Sequence, residues 1–343
     1  MAEPALTETR PAPAVPGDET PLAIGIDIGG TKVAGGLVED DGRIVERARR
    51  DTPHRTTSPR VVEDLIVDVV QELLGRAGER PVSAVGIGAA GFVSADRGTI
   101  VFAPHLSWRH EPLREALRRR VALPVFIDND ANAAVWAEYR YGAGRGESHL
   151  TMVNLGTGIG GGLMIDGRVI RGRYGIAGEF GHMQVVPGGL RCECGNRGCW
   201  EQYASGNALV REARSMMSAG SPIANDLLER VGGDPSALTG PLVTEAAREG
   251  DRTAVELLAE IGQWLGVGIA NLAAAFDPGL FVIGGGVSAA GDLLLGPARE
   301  TFARQLTGRG YRPGAEIRAA ELGNEAGLIG AADLARASAG EQG

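Results

Sequence analysis

From Leu22 onward apolar positions recur every second residue, so that Leu22, Ile24, Ile26 and Ile28 fall on one face of a strand. A Gly-Gly-Thr turn follows, and KVAGGLV and GRIVERA then read as two further strands of an antiparallel meander. At Ser58-Pro59 the period changes. Val61, Val62, Leu65, Ile66, Val69, Val70, Leu73 and Leu74 recur at helical spacing, behind a proline suited to a first helical turn. A strand over Val82 to Gly88, a second meander through Ile100 to Phe102, a short helix over Pro112 to Val121 and a strand over Val125 to Ile127 complete a first α/β lobe.

A second lobe begins with the helix after Asp130 and repeats the opening of the first. TMVNLGTGIGGGLMIDGRV resembles AIGIDIGGTKVAGGLVEDDGRI, each a glycine-rich turn between two short apolar strands. Internal duplication is the economical reading, and chance likeness of two Gly-rich hairpins is the alternative. A long helix from about Asp251 to Phe276, a strand over Leu280 to Ile283, another helix, a strand near Ile317 and a final helix from Ala326 follow. The expected fold is therefore α/β, two duplicated βββαβ halves with a cleft between them. Its boundaries are a Pro-rich disordered tail over 1–21, a small lobe over 22–129 completed by a C-terminal helix at about 322–337, and a large lobe over 130–321.

With 343 residues the chain exceeds what one hydrophobic core usually serves, which agrees with two lobes. Its 53 glycines are about twice the usual share, as several tight, ligand-facing turns would require. Acidic residues outnumber basic ones 43 to 34, and the densest basic run, Arg118 to Arg120, ends a helix where cations suit the dipole. No nucleic-acid footprint results. No apolar run reaches the roughly 18 residues of a membrane span, and the first 20 residues lack the apolar segment of a signal peptide. All three cysteines lie between Cys192 and Cys199, a clustering that favours metal ligation in a reducing cytoplasm over a disulfide framework.

Three constellations carry candidate chemistry. The first is a set of glycine turns. Asp27, Gly29, Gly30, Thr31 and Lys32 end the first strand, where backbone N–H groups can approach phosphate oxygens and Asp27 can hold Mg²⁺ through water. Gly156, Thr157 and Gly158 form the matching turn of the other half, and Gly284, Gly285, Gly286 and Val287 follow a buried strand where a nucleoside could lie. The first two turns run from strand to strand, which excludes a Rossmann site, and no Walker sequence is present. The second constellation is Asp128-Asn129-Asp130 at a strand end entering a helix. Asp130 there is either a general base for phosphoryl transfer or a helix cap, and Asp128 is also a capping candidate. The third combines His182 with Cys192, Cys194 and Cys199, a full tetrahedral zinc set, against the alternative of three reduced surface thiols. Four protein ligands leave no open position, so the zinc would be structural and would pin the flanking Glu179 and Glu201, which suit vicinal sugar hydroxyls.

Together these motifs resemble the ROK (repressor, open reading frame, kinase) family of sugar kinases and regulators, in particular its zinc-containing bacterial glucokinases, over about Leu22 to Ala335. The resemblance implies the actin-like, ribonuclease-H-like ATPase fold and ATP-dependent phosphorylation of glucose at the 6-hydroxyl, with Asp130 as base. ATP and Mg²⁺ would lie on the glycine turns, and the sugar against Asn129, Glu179, His182 and Glu201. It also implies that Ala90, Gly91 and the backbone of Pro104 and His105 border the sugar, His105 standing where Asn is expected, and that the protein is a homodimer or homotetramer. N-acetylmannosamine, N-acetylglucosamine, mannose and fructose kinases share most of these motifs. A non-catalytic sugar sensor is the remaining alternative; a repressor would need a helix-turn-helix that about 20 Pro-rich residues cannot build.

Overall fold

The computed structural model describes residues 20–340; the tail expected over 1–21 lies outside them except for its last two positions. Strands β1 (Leu22–Ile28), β2 (Lys32–Val38) and β3 (Ile44–Asp51) form the expected meander. Helix α1 (Pro59–Ala77) leads into β4 (Val82–Ala89), parallel to β1. Strands β5 (Phe92–Val93), β6 (Ile100–Phe102) and β7 (Arg109–Glu111) pair only with one another, as a separate three-stranded sheet. Helix α2 (Leu113–Arg118) is shorter at both ends than its apolar pattern predicts, and β8 (Val125–Asn129) then closes the first sheet in the order β3-β2-β1-β4-β8.

Helix α3 (Asp130–Tyr141) precedes β9 (Leu150–Leu155), β10 (Ile159–Ile165) and β11 (Arg168–Val169). Helices α4 (Glu201–Ala204), α5 (Gly206–Ser218), α6 (Asn225–Arg230) and α7 (Gly240–Arg248) fill a stretch where the sequence reading assigns no elements. After them come α8 (Arg252–Phe276), β12 (Leu280–Gly284), α9 (Asp292–Gln305), β13 (Glu316–Ala319) and α10 (Ala326–Gly340). The second sheet runs β11-β10-β9-β12-β13. Strand for strand this repeats the first sheet, with an antiparallel meander followed by two parallel additions, so the two glycine-rich hairpins occupy equivalent places.

Helix α8 is long and apolar enough to cross a membrane by length and composition alone. Of its most apolar window 61% is buried, and Leu258, Leu265 and Ile269 sit in the main core cluster with Leu294 and Ala298 of α9. It is a core helix.

Helix α3 joins the two sheets. Gly162 of β10 lets it approach so closely that a Cβ at that position would stand 2.6 Å from Val135 Cγ1. On its other side Gly330 of α10 brings the backbones nearer still, a Cβ there falling 1.7 Å from the carbonyl oxygen of Ala133. Helix α10 also lies across β1 and β4. The first residue of α3 is thus held between elements of both halves, and that residue is Asp130.

Candidate active site

The triplet at the start of α3 divides its labour by geometry. Asn129 is the cap: its Oδ1 accepts from Ala131 N at 2.8 Å and Asn132 N at 3.1 Å, satisfying two of the free N–H groups of the first turn. Its Nδ2 donates to Gly91 O at 3.1 Å. Asp128 is 3% exposed and structural. Its Oδ1 accepts from Asn129 N and from Asn132 Nδ2, while Oδ2 takes two bonds from Arg171. Asp130, the first residue of the helix, is therefore not its cap. Desolvation raises its pKa above the ordinary aspartate value, offset in part by N–H groups of the helix start and the Asn129 side chain.

Asp130 is one of four carboxylates that feel one another. Asp27, at the end of β1, is pushed up to about 6 by burial and then by the charge of Asp130, with Lys32 opposing. Glu179 is pushed up to about 7 by burial, by Asp130 and by Glu201. Glu201 lies beside the second glycine turn: its Oε2 is 3.4 Å from Ile159 N, and a Cβ on Gly158 would stand 2.5 Å from it. Asp27 thus interacts with Asp130, Asp130 with Glu179, and Glu179 with Glu201, which lies at the second glycine turn. Such a cluster favours a bound dication and hydroxyl donors over a further anion.

The glycine turns are pinned at their bases. Gly29 N donates to Lys32 O at 3.0 Å, and Thr52 N to Thr31 O at 3.1 Å. Gly156 N donates to Gly158 O at 3.0 Å, and Gly156 O and Thr157 O accept from Gly206 N and Asn207 N at the start of α5. In the third, Gly285 has φ +81° and packs so tightly on β9 that a Cβ would meet Leu155 at 2.5 Å, which brings Gly284, Gly286 and Val287 beside the second turn. Ala90 N donates to Ile28 O at 3.1 Å, and exposed His105 lies over Gly30, its Cβ 3.1 Å from where a side chain there would begin. Pro104, next to it, is exposed as well.

His182, Cys192, Cys194 and Cys199 converge, their candidate ligand atoms all within 4.8 Å of one another. The Cys194 and Cys199 sulfurs are 3.6 Å apart, and Cys192 Sγ is 3.7 Å from His182 Nδ1. A tetrahedron with Zn–S bonds of about 2.3 Å has edges of about 3.8 Å, so the donor set fits zinc in type, number and spacing. The cluster touches Glu201, whose Oε1 lies 3.2 Å from Cys192 Sγ and 3.7 Å from His182 Nδ1.

The family profile for ROK proteins matches residues 23–338. This chain belongs to the ROK family. Its fold is accordingly the actin-like, ribonuclease-H-like ATPase fold, and the two equivalent sheets above are its repeated halves. It is 49% identical over 315 residues to a glucokinase of Streptomyces coelicolor, covering 92% of this chain and 98% of that protein. A glucokinase of Thermotoga maritima is 36% identical over 312 residues, 91% of this chain and 96% of the relative. Among solved structures, a ROK family glucokinase from Streptomyces griseus in complex with glucose and AMPPNP superimposes with a TM-score of 0.82 at 49% identity, over 92% of this chain and 99% of the other.

Sequence reasoning picked out Asp130, the glutamates, the glycine turns and the His/Cys set; the structure brings Asp27, Asp130, Glu179 and Glu201 within interaction range and sets Glu201 beside both Gly158 and Cys192. It missed Arg171 and Arg97, which hold Asp128. Lone arginines far from any motif carry no local signal, since their partners lie 43 and 31 positions away in the chain.

Proposed function

We propose that this protein transfers the γ-phosphoryl group of ATP to the 6-hydroxyl of glucose, with Asp130 as general base. The observation that carries the reading is that Asn129 serves as the helix cap, while the adjacent Asp130 carboxylate interacts with Asp27 at the first glycine turn and with Glu179. The high identity to glucokinases across nearly the whole chain supports the same reading.

Phosphoryl transfer asks little covalent chemistry of a protein and much positioning. Asp130, its pKa raised, is a stronger proton acceptor than an ordinary aspartate and would take the proton of the attacking hydroxyl. Glu179, Glu201, His182 and the Asn129 amide would orient the sugar, bordered by Ala90, Gly91, Pro104 and His105. The turns at Gly29 to Lys32 and Gly156 to Gly158 would hold the phosphates, and Gly284 to Val287 the nucleoside. Asp27 would hold Mg²⁺, which supplies charge neutralisation on the transferring group. Zinc in the His182, Cys192, Cys194 and Cys199 set would supply rigidity, fixing the segments that carry Glu179 and Glu201. With a small lobe over 22–129 plus the C-terminal helix and a large lobe over 130–321, closure of a cleft between them would exclude water from ATP. Thiolate ligands suit a cytoplasmic setting, and assembly as a homodimer or homotetramer can be read by sedimentation.

The deciding measurement is sugar-dependent ADP formation with glucose, mannose, fructose, N-acetylglucosamine and N-acetylmannosamine. The highest kcat/KM is expected for glucose. A higher value for another hexose would move the assignment within the family, and no sugar-dependent turnover would refute a kinase.

A further inference from the structure

The catalytic reading does not use Arg171, yet its guanidinium makes the closest ion pair around the Asp130 segment. Nη2 and Nε lie 2.6 and 2.9 Å from Asp128 Oδ2, a two-bonded contact to a carboxylate that is 3% exposed. Asp128 belongs to β8 of the first sheet, while Arg171 lies just past β11 of the second. The pair thus bridges the two halves immediately beside Asp130.

The segment after Arg171 gives the bridge a consequence. Ala177 N donates to Arg171 O at 3.0 Å and closes a loop over 171–177. The loop reaches the first half again at Gly175, where φ is +87° and a Cβ would fall 2.2 Å from Val93 O. Gly178 then returns the chain to β10, a Cβ there lying 2.6 Å from Gly161 O, and the next residue is Glu179. The path from Arg171 to Glu179 is therefore fixed at its base, its tip and its exit. Arg97 adds a second cation on the first half, its Nε 3.4 Å from Asp128 Oδ2 and 3.3 Å from Ile127 O.

We infer that Arg171 is a positioning residue, which through Asp128 sets the distance between the base-bearing start of α3 and the Glu179 arm that faces the sugar. Asp128 transmits the setting, because its other oxygen holds Asn129 N and Asn132 Nδ2 at the head of that helix. Loss of the bridge loosens the Glu179 arm against the head of α3, although its backbone contacts persist, and leaves the glycine turns on their own backbone anchors. Sugar binding then suffers and nucleotide binding does not.

The inference rests on the sugar-binding role proposed for Glu179, and its test separates the two. Arg171→Gln removes the cation and the paired bonds, whereas Arg171→Lys keeps the charge but offers a single point contact. Steady-state kinetics should show the glucose KM of Arg171→Gln raised about tenfold or more, with the KM for ATP within about twofold of wild type. Amide exchange over 172–179 should accelerate in the same variant. Arg171→Lys should fall between, with a glucose KM raised about threefold. A pair that served only stability would lower Tm and leave both KM values alone. Unchanged glucose KM in folded Arg171→Gln, or equal rises for glucose and ATP, overturns the inference. If Arg171→Gln does not fold, Arg171→Lys decides by the same two constants, and wild-type values there overturn it. Failure of the wild type to phosphorylate any hexose would sink the functional reading, while the exchange rates would still judge the bridge.

Discussion

Replacing Asp27 by Asn should make the protein more stable while disabling it. Burial and the charge of Asp130 raise the Asp27 pKa from 3.8 to about 6, despite Lys32. Because the folded value exceeds the unfolded one, the native state holds the extra proton between the two, and stability falls as pH rises through that window. Two pH units at about 1.36 kcal/mol each give a destabilisation of about 3 kcal/mol above pH 7, shrinking to about 1 kcal/mol at pH 4.5. Asparagine has the same shape and no charge to desolvate. Urea denaturation of the nucleotide-free protein at pH 8 should show Asp27→Asn more stable than wild type by up to about 3 kcal/mol, with the gain largely gone at pH 4.5. Protonation of the His182, Cys192, Cys194 and Cys199 cluster at the lower pH affects both proteins and cancels in the difference. Turnover should fall together with the gain, since Asp27 is the proposed Mg²⁺ partner, a stability–activity trade-off. An Asp27→Asn variant no more stable than wild type at pH 8, or one whose gain persists undiminished at pH 4.5, would refute the account of carboxylates held in mutual repulsion.

Asp130→Asn should lower kcat by about 10²- to 10⁴-fold and leave glucose binding by calorimetry intact, and a wild-type kcat would remove Asp130 from the mechanism. Cys194 is exposed, so Cys194→Ser tests the metal without disturbing the core: bound zinc should be lost and the glucose KM should rise while the KM for ATP holds. Zinc content equal to wild type in that variant would contradict the ligand set. Gly330→Ala places a Cβ 1.7 Å from Ala133 O, against an ordinary C···O contact of about 3.3 Å, so α3 and α10 must part. The cost should be about 1–3 kcal/mol or more in urea, with a lower kcat because α3 carries Asp130; unchanged stability would mean the helices are not in register as described.

Local pattern was enough for the features whose cause is local. Strands β1 and β2 follow from alternation around a turn, α1 from its 3.6-residue period behind Pro59, and the duplicated halves from two like hairpins that prove equivalent in their sheets. The convergence of His182 with the cysteines was legible because all three cysteines crowd into eight residues of sequence, which fold on themselves with little help from elsewhere. Helices α4 to α7 had no such marker and depend on the core they pack against.

By itself the sequence determined which residue types are available to the site and which turns can approach a phosphate. Only the tertiary structure decided which of Asp128, Asn129 and Asp130 caps, which is buried and which is free, because that choice depends on Arg171, Arg97 and Gly91 arriving from distant segments. Capping, ion pairing and proton transfer all call for a short polar side chain at a helix start, so residue type cannot separate them. The partner that each one meets in space does.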